Sequence, residues 1–133
     1  MSDGTRGAET ARRVLVVGAG GAVGTLVRAG SVEVLPAGWS VSTIVVVNLL
    51  GAFLLGMLTG RVRRPLQRQF LLVGVLGSFT TFSTFVVDAV VLVARGLPAW
   101  WVVVHVGVTV VGGLWLARLG LELDGSPPVG ARA

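Results

Sequence analysis

Long uncharged, apolar runs alternate with short clusters of arginine along this chain. Val14 to Val27 lies between Arg13 and Arg28; Val34 to Gly60 carries no charge; Gln69 to Val87 carries none and ends at Asp88; Gly96 to Ala117 is again uncharged. A helix that crosses a bilayer needs about 20 mostly apolar residues and satisfies its own backbone hydrogen bonds. The pattern therefore predicts four spans, at 13–34, 40–60, 67–94 and 98–119. The first run alone is short enough to be a signal-peptide core, but apolar character continues past Arg28 through Ala29, Gly30, Val32, Val34 and Leu35, which extends the helix across the arginine. Helix breakers punctuate the gaps: Pro36 with Gly38, then Pro65, then Gly96 with Pro98. Trp39, Trp100 and Trp101 fall at span entrances, where amphipathic indoles favour the membrane interface. The domain reading is a single four-helix transmembrane unit over 13–120 with disordered tails at 1–12 and 121–133, the second holding Pro127 and Pro128.

Composition sharpens this picture. AVILMFWYC make up 53% of 133 residues, only 13% are charged, and 20 are glycine. Mean hydropathy is +0.87. These values argue against a disordered chain and against a nucleic-acid-binding domain, although the pI is near 11.8. The basic charge reads instead as topology. All the cationic side chains are arginine, and with four spans Arg6, Arg12, Arg13, Arg61, Arg63, Arg64, Arg68, Arg118 and Arg132 share one side, leaving Arg28 and Arg95 on the other. That bias predicts both termini in the cytoplasm and a protein embedded in the cytoplasmic membrane, with the lipid bilayer rather than nucleic acid as its partner. The absence of cysteine removes disulfides, thiolate metal sites and cysteine nucleophiles. Gly20 with Gly24, Ala52 with Gly56 and Gly56 with Gly60 form small-x-x-x-small pairs, which suit close helix packing either within one subunit or between subunits.

Three polar features interrupt the apolar spans. Asn48 lies mid-span in Val-Val-Val-Asn-Leu-Leu-Gly, where its amide needs a partner; residue type alone favours a bond to another helix over donors directed at an anion. Gly77 to Phe85 reads Gly-Ser-Phe-Thr-Thr-Phe-Ser-Thr-Phe in the middle of the third span. So many hydroxyl residues after glycine weaken a helix, and a broken helix at membrane depth occurs where backbone lines a cavity or binds ions. Phe79, Phe82 and Phe85 recur every three residues and would share a face of an uninterrupted helix. Phenyl edges carry partial positive charge and can contact an anion without trapping it, although packing phenylalanines with back-bonded Ser and Thr is the simpler reading. The third feature comprises Arg28 and Asp88 near span ends, plus His105 with Thr109 one turn later; ionisable residues in spans are functional candidates, and a lone histidine is no metal site.

The segments Gly21-Ala22-Val23-Gly24-Thr25-Leu26-Val27-Arg28, Val47-Asn48-Leu49-Leu50-Gly51-Ala52-Phe53 and Gly77 to Phe85, in this order, resemble the Fluc family of bacterial fluoride channels, also called CrcB. The resemblance implies an all-α membrane protein with four transmembrane helices, the third broken near its middle, assembled as an antiparallel dimer. It implies a passive fluoride channel that relieves fluoride toxicity, with two pores and a central structural sodium ion, and not an enzyme. Gly77 and Thr80 would offer backbone carbonyls to the sodium. Phe82 and Phe85 would be the pore phenylalanines, with Asn48, Ser83 and Thr84 along the fluoride path and Arg28 near its entrance. Asp88 stands where the family usually has glutamate. Members often carry a tyrosine in the fourth helix, and this chain has none; His105 and Thr109 fall at the nearest positions, with Thr109 placed on the path.

The arginine bias is at odds with a homodimer that inserts in both orientations, and suggests as an alternative a heterodimer with an oppositely oriented paralogue. Two other classes remain open. A small four-helix multidrug or metabolite transporter fits the length, but Val14 to Val27 lacks the carboxylate such a protein is expected to carry in its first span. A structural membrane protein would use the same small residues and aromatic faces for packing.

Overall fold

The computed structural model describes residues 3–34 and 40–125, with side chains from 6–34 and 43–125. Pro36, Gly38, Trp39, Pro127, Pro128 and Arg132 lie outside the described residues. The described chain is all-helical: α1 (Asp3–Glu33), α2 (Ser40–Arg61), α3 (Pro65–Arg68), a π-helical stretch (Gln69–Leu76), α4 (Gly77–Phe79), α5 (Phe82–Ala94) and α6 (Ala99–Asp124). Four helical segments are long and apolar enough to cross a membrane: Arg6–Glu33, Thr43–Arg61, Pro65–Ala94 and Ala99–Asp124. They match the four uncharged runs, and the chain is a multi-pass membrane protein.

Two boundaries differ from the sequence expectation. Helix α1 begins at Asp3, so positions 3–12, expected to belong to a disordered tail, are helical. An i,i+4 pair between Arg13 Nε and Glu9 Oε1 at 3.0 Å supports these exposed turns. At the other end α6 runs on to Asp124 instead of stopping near position 119. There Arg61 Nε meets Asp124 Oδ1 at 3.3 Å, which ties the C-terminal ends of α2 and α6 together, and Gly125 ends the helix in the left-handed conformation at φ 67°. The turn between α5 and α6 also depends on a glycine. Gly96 adopts φ 74°, its N–H bonds the Val93 carbonyl, and Leu97 N–H reaches back to Leu92, the pairing that closes a helix with a left-handed residue.

The spans pack as two close pairs, α1 against the π-helical stretch and α2 against α6. Glycines set both contacts. A Cβ at Gly20 would run into the Phe70 carbonyl, one at Gly24 into the Val75 carbonyl, and one at Gly74 would lie 2.8 Å from the Val17 oxygen. In the other pair a Cβ at Gly56 would strike the Ala117 carbonyl, and one at Gly120 the backbone of Phe53 and Met57. Gly20, Gly24 and Gly56 therefore seat helices inside one subunit.

Candidate functional site

Helical geometry lapses in the third span at two residues. Thr80 has ψ 150° and Thr81 has φ −142° and ψ 125°, both extended, between the end of α4 at Phe79 and the start of α5 at Phe82. Extended backbone at this depth frees N–H and C=O groups that hydrocarbon cannot satisfy. Asn48 supplies the partners. Thr81 N–H donates to Asn48 Oδ1 at 2.8 Å, and Asn48 Nδ2 donates to the Thr81 carbonyl at 3.0 Å. One planar amide thus meets the Thr81 N–H at the break and adds a bond to the carbonyl of the same residue. Three residues on, Gly51 makes room for the same segment: a Cβ there would meet the Thr80 methyl group and come within 3.2 Å of the Phe79 ring.

Hydroxyls complete the local network. Thr81 Oγ1 accepts from Thr84 N–H at 3.3 Å, so it caps α5, and it also donates to Thr84 Oγ1 at 3.1 Å and lies 3.3 Å from Ser83 Oγ. Thr80 Oγ1 donates to the Leu76 carbonyl at 3.0 Å and lies 3.5 Å from the Gly77 carbonyl. Thr80 is therefore back-bonded to its own helix, while Thr81 starts the next one.

The lapse also shifts the phase of the phenylalanines. Phe79 and Phe85 are buried, whereas Phe82 is 77% exposed, so the three rings do not share one face as an uninterrupted helix would require. Phe82 and Phe85 remain neighbours, with ring centroids 5.8 Å apart and planes inclined by 46°. Phe85 also stacks on His105 of α6 at 5.1 Å and 18°. His105 is buried, and its Nε2 has no hydrogen-bond partner among the described residues.

Arg28 and Asp88 lie beside a cleft of about 360 Å³ lined also by Thr25, Glu33, Ile44 and Thr84. Arg28 Nη1 reaches Thr84 Oγ1 at 3.5 Å, its Nε lacks a partner, and so does Asp88 Oδ2. No ion pair joins the two among the described residues. Thr109 donates its hydroxyl proton to the His105 carbonyl at 2.8 Å, which commits that proton to its own helix. No group of three or more His, Cys, Asp or Glu side chains occurs among the described residues. Sequence reasoning had no role for Thr81 or Gly51. Thr81 just before an apolar helical run is an N-cap signal by residue type, and Gly51 three residues after Asn48 places notch and amide on one face of α2.

The family described as CrcB-like protein, Camphor Resistance (CrcB), matches residues 15–121. The chain is 43% identical over 109 residues to fluoride-specific ion channel FluC 1 of Rhodococcus jostii, covering 81% of this chain and 82% of that one. It is 38% identical over 120 residues to fluoride-specific ion channel FluC of Agrobacterium fabrum, covering 79% and 95%. The FluC of Cereibacter sphaeroides is 39% identical over 108 residues, covering 74% and 86%. A family match that spans all four membrane helices, with relatives this similar along most of their own length, makes the chain a member of the CrcB-like family.

Proposed function

We propose that this chain is the subunit of a fluoride-selective passive channel that lets fluoride leave the cytoplasm and so relieves fluoride toxicity. The observation that carries the reading is the extent of the likeness to proteins named fluoride-specific ion channels, 43% identity across four fifths of both chains in one case. Members of the family so named are ion channels, and the chain is not an enzyme. The geometry supports the same reading. Fluoride holds its water tightly, and conduction requires several weak replacements and no single strong trap. Phe82 and Phe85, side by side at 5.8 Å, offer positive ring edges. Asn48 uses one of its two Nδ2 hydrogens on Thr81 and keeps a second donor by valence. Ser83 and Thr84 add hydroxyls next to the rings, Arg28 draws anions toward the cleft, and Asp88 sits beside it. Thr109 contributes through its oxygen, its proton being committed.

The finer architecture belongs to the same proposal. The third span is read as a broken helix, with residues 13–120 forming one transmembrane unit that works as an antiparallel dimer with two pores in the inner membrane and both termini cytoplasmic. Phe82, apolar and 77% exposed, marks a face that a second copy can cover. The partner is a second copy or an oppositely inserted paralogue, and the arginine bias, which orients this chain one way, favours the paralogue.

A structural sodium ion at the dimer axis fits the donors present. The extended ψ of Thr80 takes its carbonyl off the helix axis, and the Gly77 carbonyl accepts a long 3.5 Å contact from Thr80. These are hard oxygens, two from each chain, of the kind a hard cation prefers. Bound there, the ion would supply positive charge that holds the two broken helices together.

Purified chain in liposomes, with fluoride and chloride release followed by ion-selective electrodes, tests the reading. Rapid fluoride release with chloride retained is expected. Well-folded protein that releases neither ion, alone or with a co-reconstituted paralogue, overturns it.

A further inference from the structure

We propose that the C-terminal ends of α2 and α6, with the loop that follows α2, form a binding surface for an anionic phospholipid whose headgroup phosphate is taken by Arg63, Arg64 and Arg118. The surface begins on α6. Val111, Leu114 and Trp115 are 67%, 66% and 64% exposed, and together with Arg118 they follow the i, i+3, i+4, i+7 spacing of a single helix face. Apolar side chains on the outside of a membrane helix lie against acyl chains, so Arg118 ends a stripe that faces lipid. It precedes the last residue of α6, Asp124, by six positions, about 9 Å along the axis. An arginine stem spans that distance from the acyl boundary toward the headgroups, and Trp115 one turn earlier stands at the level indoles favour. Arg118 is exposed and makes no ion pair among the described residues, not even with Glu122 four residues on.

Two braces present the other arginines. Arg61 Nε meets Asp124 Oδ1 at 3.3 Å and so joins the end of α2 to the end of α6. Arg68 Nη1 donates to the Thr59 carbonyl at 2.7 Å and to the Val62 carbonyl at 3.3 Å, which holds the last turn of α2 and the start of the loop after it. Between these fixed points Arg63 and Arg64 are exposed, and neither side chain makes an ion pair among the described residues. The four loop arginines therefore divide by role: Arg61 and Arg68 spend their guanidinium groups on the chain itself, while Arg63 and Arg64, like Arg118, keep theirs for another molecule. Insertion topology asks only for positive charge near this end and is indifferent to that division. Free guanidinium forks on a braced loop, beside an apolar stripe, match a phosphate diester that carries acyl chains: the forks bond its oxygens in pairs, and the chains follow the stripe. A headgroup with net negative charge is preferred, because a choline would bring back the positive charge that the arginines already supply.

The test uses the full chain purified in neutral detergent and titrated with phosphatidylglycerol or phosphatidylcholine, with lipid retention followed by native mass spectrometry and stability by thermal unfolding. The native chain is expected to retain phosphatidylglycerol on the order of ten-fold more than phosphatidylcholine, and its melting temperature should rise to a plateau with the anionic lipid alone. Arg118→Gln and the double variant Arg63→Gln with Arg64→Gln should each weaken the preference, and the triple variant should lose it while melting as the native chain does in the absence of lipid. Arg95→Gln, an exposed arginine in the turn between α5 and α6, should keep it. Inorganic phosphate alone should produce no such rise, since it has no chains to follow the stripe. Equal retention of the two lipids, a triple variant that still prefers phosphatidylglycerol, an equal loss in Arg95→Gln, or an equal rise with inorganic phosphate overturns the inference. So does a triple variant that keeps the lipid preference and loses self-association by light scattering, an outcome that assigns the surface to a second copy of the chain.

Discussion

Asn48 and Thr81 are joined by two antiparallel hydrogen bonds, 2.8 Å into the side-chain oxygen and 3.0 Å out of the side-chain nitrogen. The amide of α2 thus stands in for a strand neighbour at the one place where the third span stops being helical. A residue that reads in the sequence as a polar intrusion is the partner that allows two extended residues to exist in an apolar environment.

Asn48→Leu leaves both Thr81 groups without that partner. The variant should lose about 1–2 kcal/mol of stability, the range for interhelical hydrogen bonds in membranes, together with most fluoride flux. Asn48→Asp keeps the acceptor for Thr81 N–H and should fall between. Thermal unfolding in detergent, paired with liposome flux, checks both, and equal stability of native and Asn48→Leu protein would remove the amide from its supporting role.

Gly24→Ala should destabilise the subunit by about 1–3 kcal/mol, because the added methyl meets the Val75 carbonyl and not a yielding side chain. Gly18→Ala is the control. Nothing lies within 4 Å of a Cβ there, so helix propensity alone acts and stability should hold or improve. Melting curves of the two variants side by side are decisive.

The two phenylalanines should separate in stability and agree in function. Phe85→Ile removes a buried ring stacked on His105 and should cost about 1–3 kcal/mol, whereas Phe82→Ile changes an exposed ring and should leave the subunit fold unaffected. Fluoride flux should fall sharply in both, since isoleucine keeps bulk and lacks the positive edge. Unchanged flux in both variants would remove the ring edges from the mechanism.

Replacing sodium by a bulky organic cation should loosen the assembly if the Gly77 and Thr80 carbonyls hold the ion between two chains. Size-exclusion chromatography with light scattering should then show a growing monomer fraction, restored by added sodium. A dimer indifferent to sodium would place the dimer's cohesion elsewhere.

The spans were legible because charge is nearly absent between Val14 and Ala117 except where the chain turns, and bilayer thickness fixes how long each apolar run must be. Their ends were less so. Residues 3–12 look like a polar tail, yet water accepts a polar helix as readily as a polar coil, and the Glu9–Arg13 pair supports the helix. Gly20, Gly24 and Gly56 announced close packing but not its partner, since a small-x-x-x-small pair says that something approaches and not what. The phenylalanine triplet misled on geometry, because spacing of three means a shared face only where the helix is continuous, and Thr80 and Thr81 change the phase between Phe79 and Phe82. Thr81 was invisible as the hinge of the site because its two contributions, a cap and a backbone pair, depend on a residue 33 positions earlier.

The exposure of Phe82 bears on biogenesis. A ring that would drive aggregation in water is at ease among acyl chains, which solvate it about as well as a protein neighbour does. A newly inserted subunit can therefore finish its own fold, with its glycine contacts and its Asn48 clamp made, and diffuse laterally without any penalty for the ring it leaves uncovered. In the proposed antiparallel dimer, meeting a partner would then be a separate and later event, governed by the concentration of opposite-facing chains in the bilayer and not by the stability of the lone subunit.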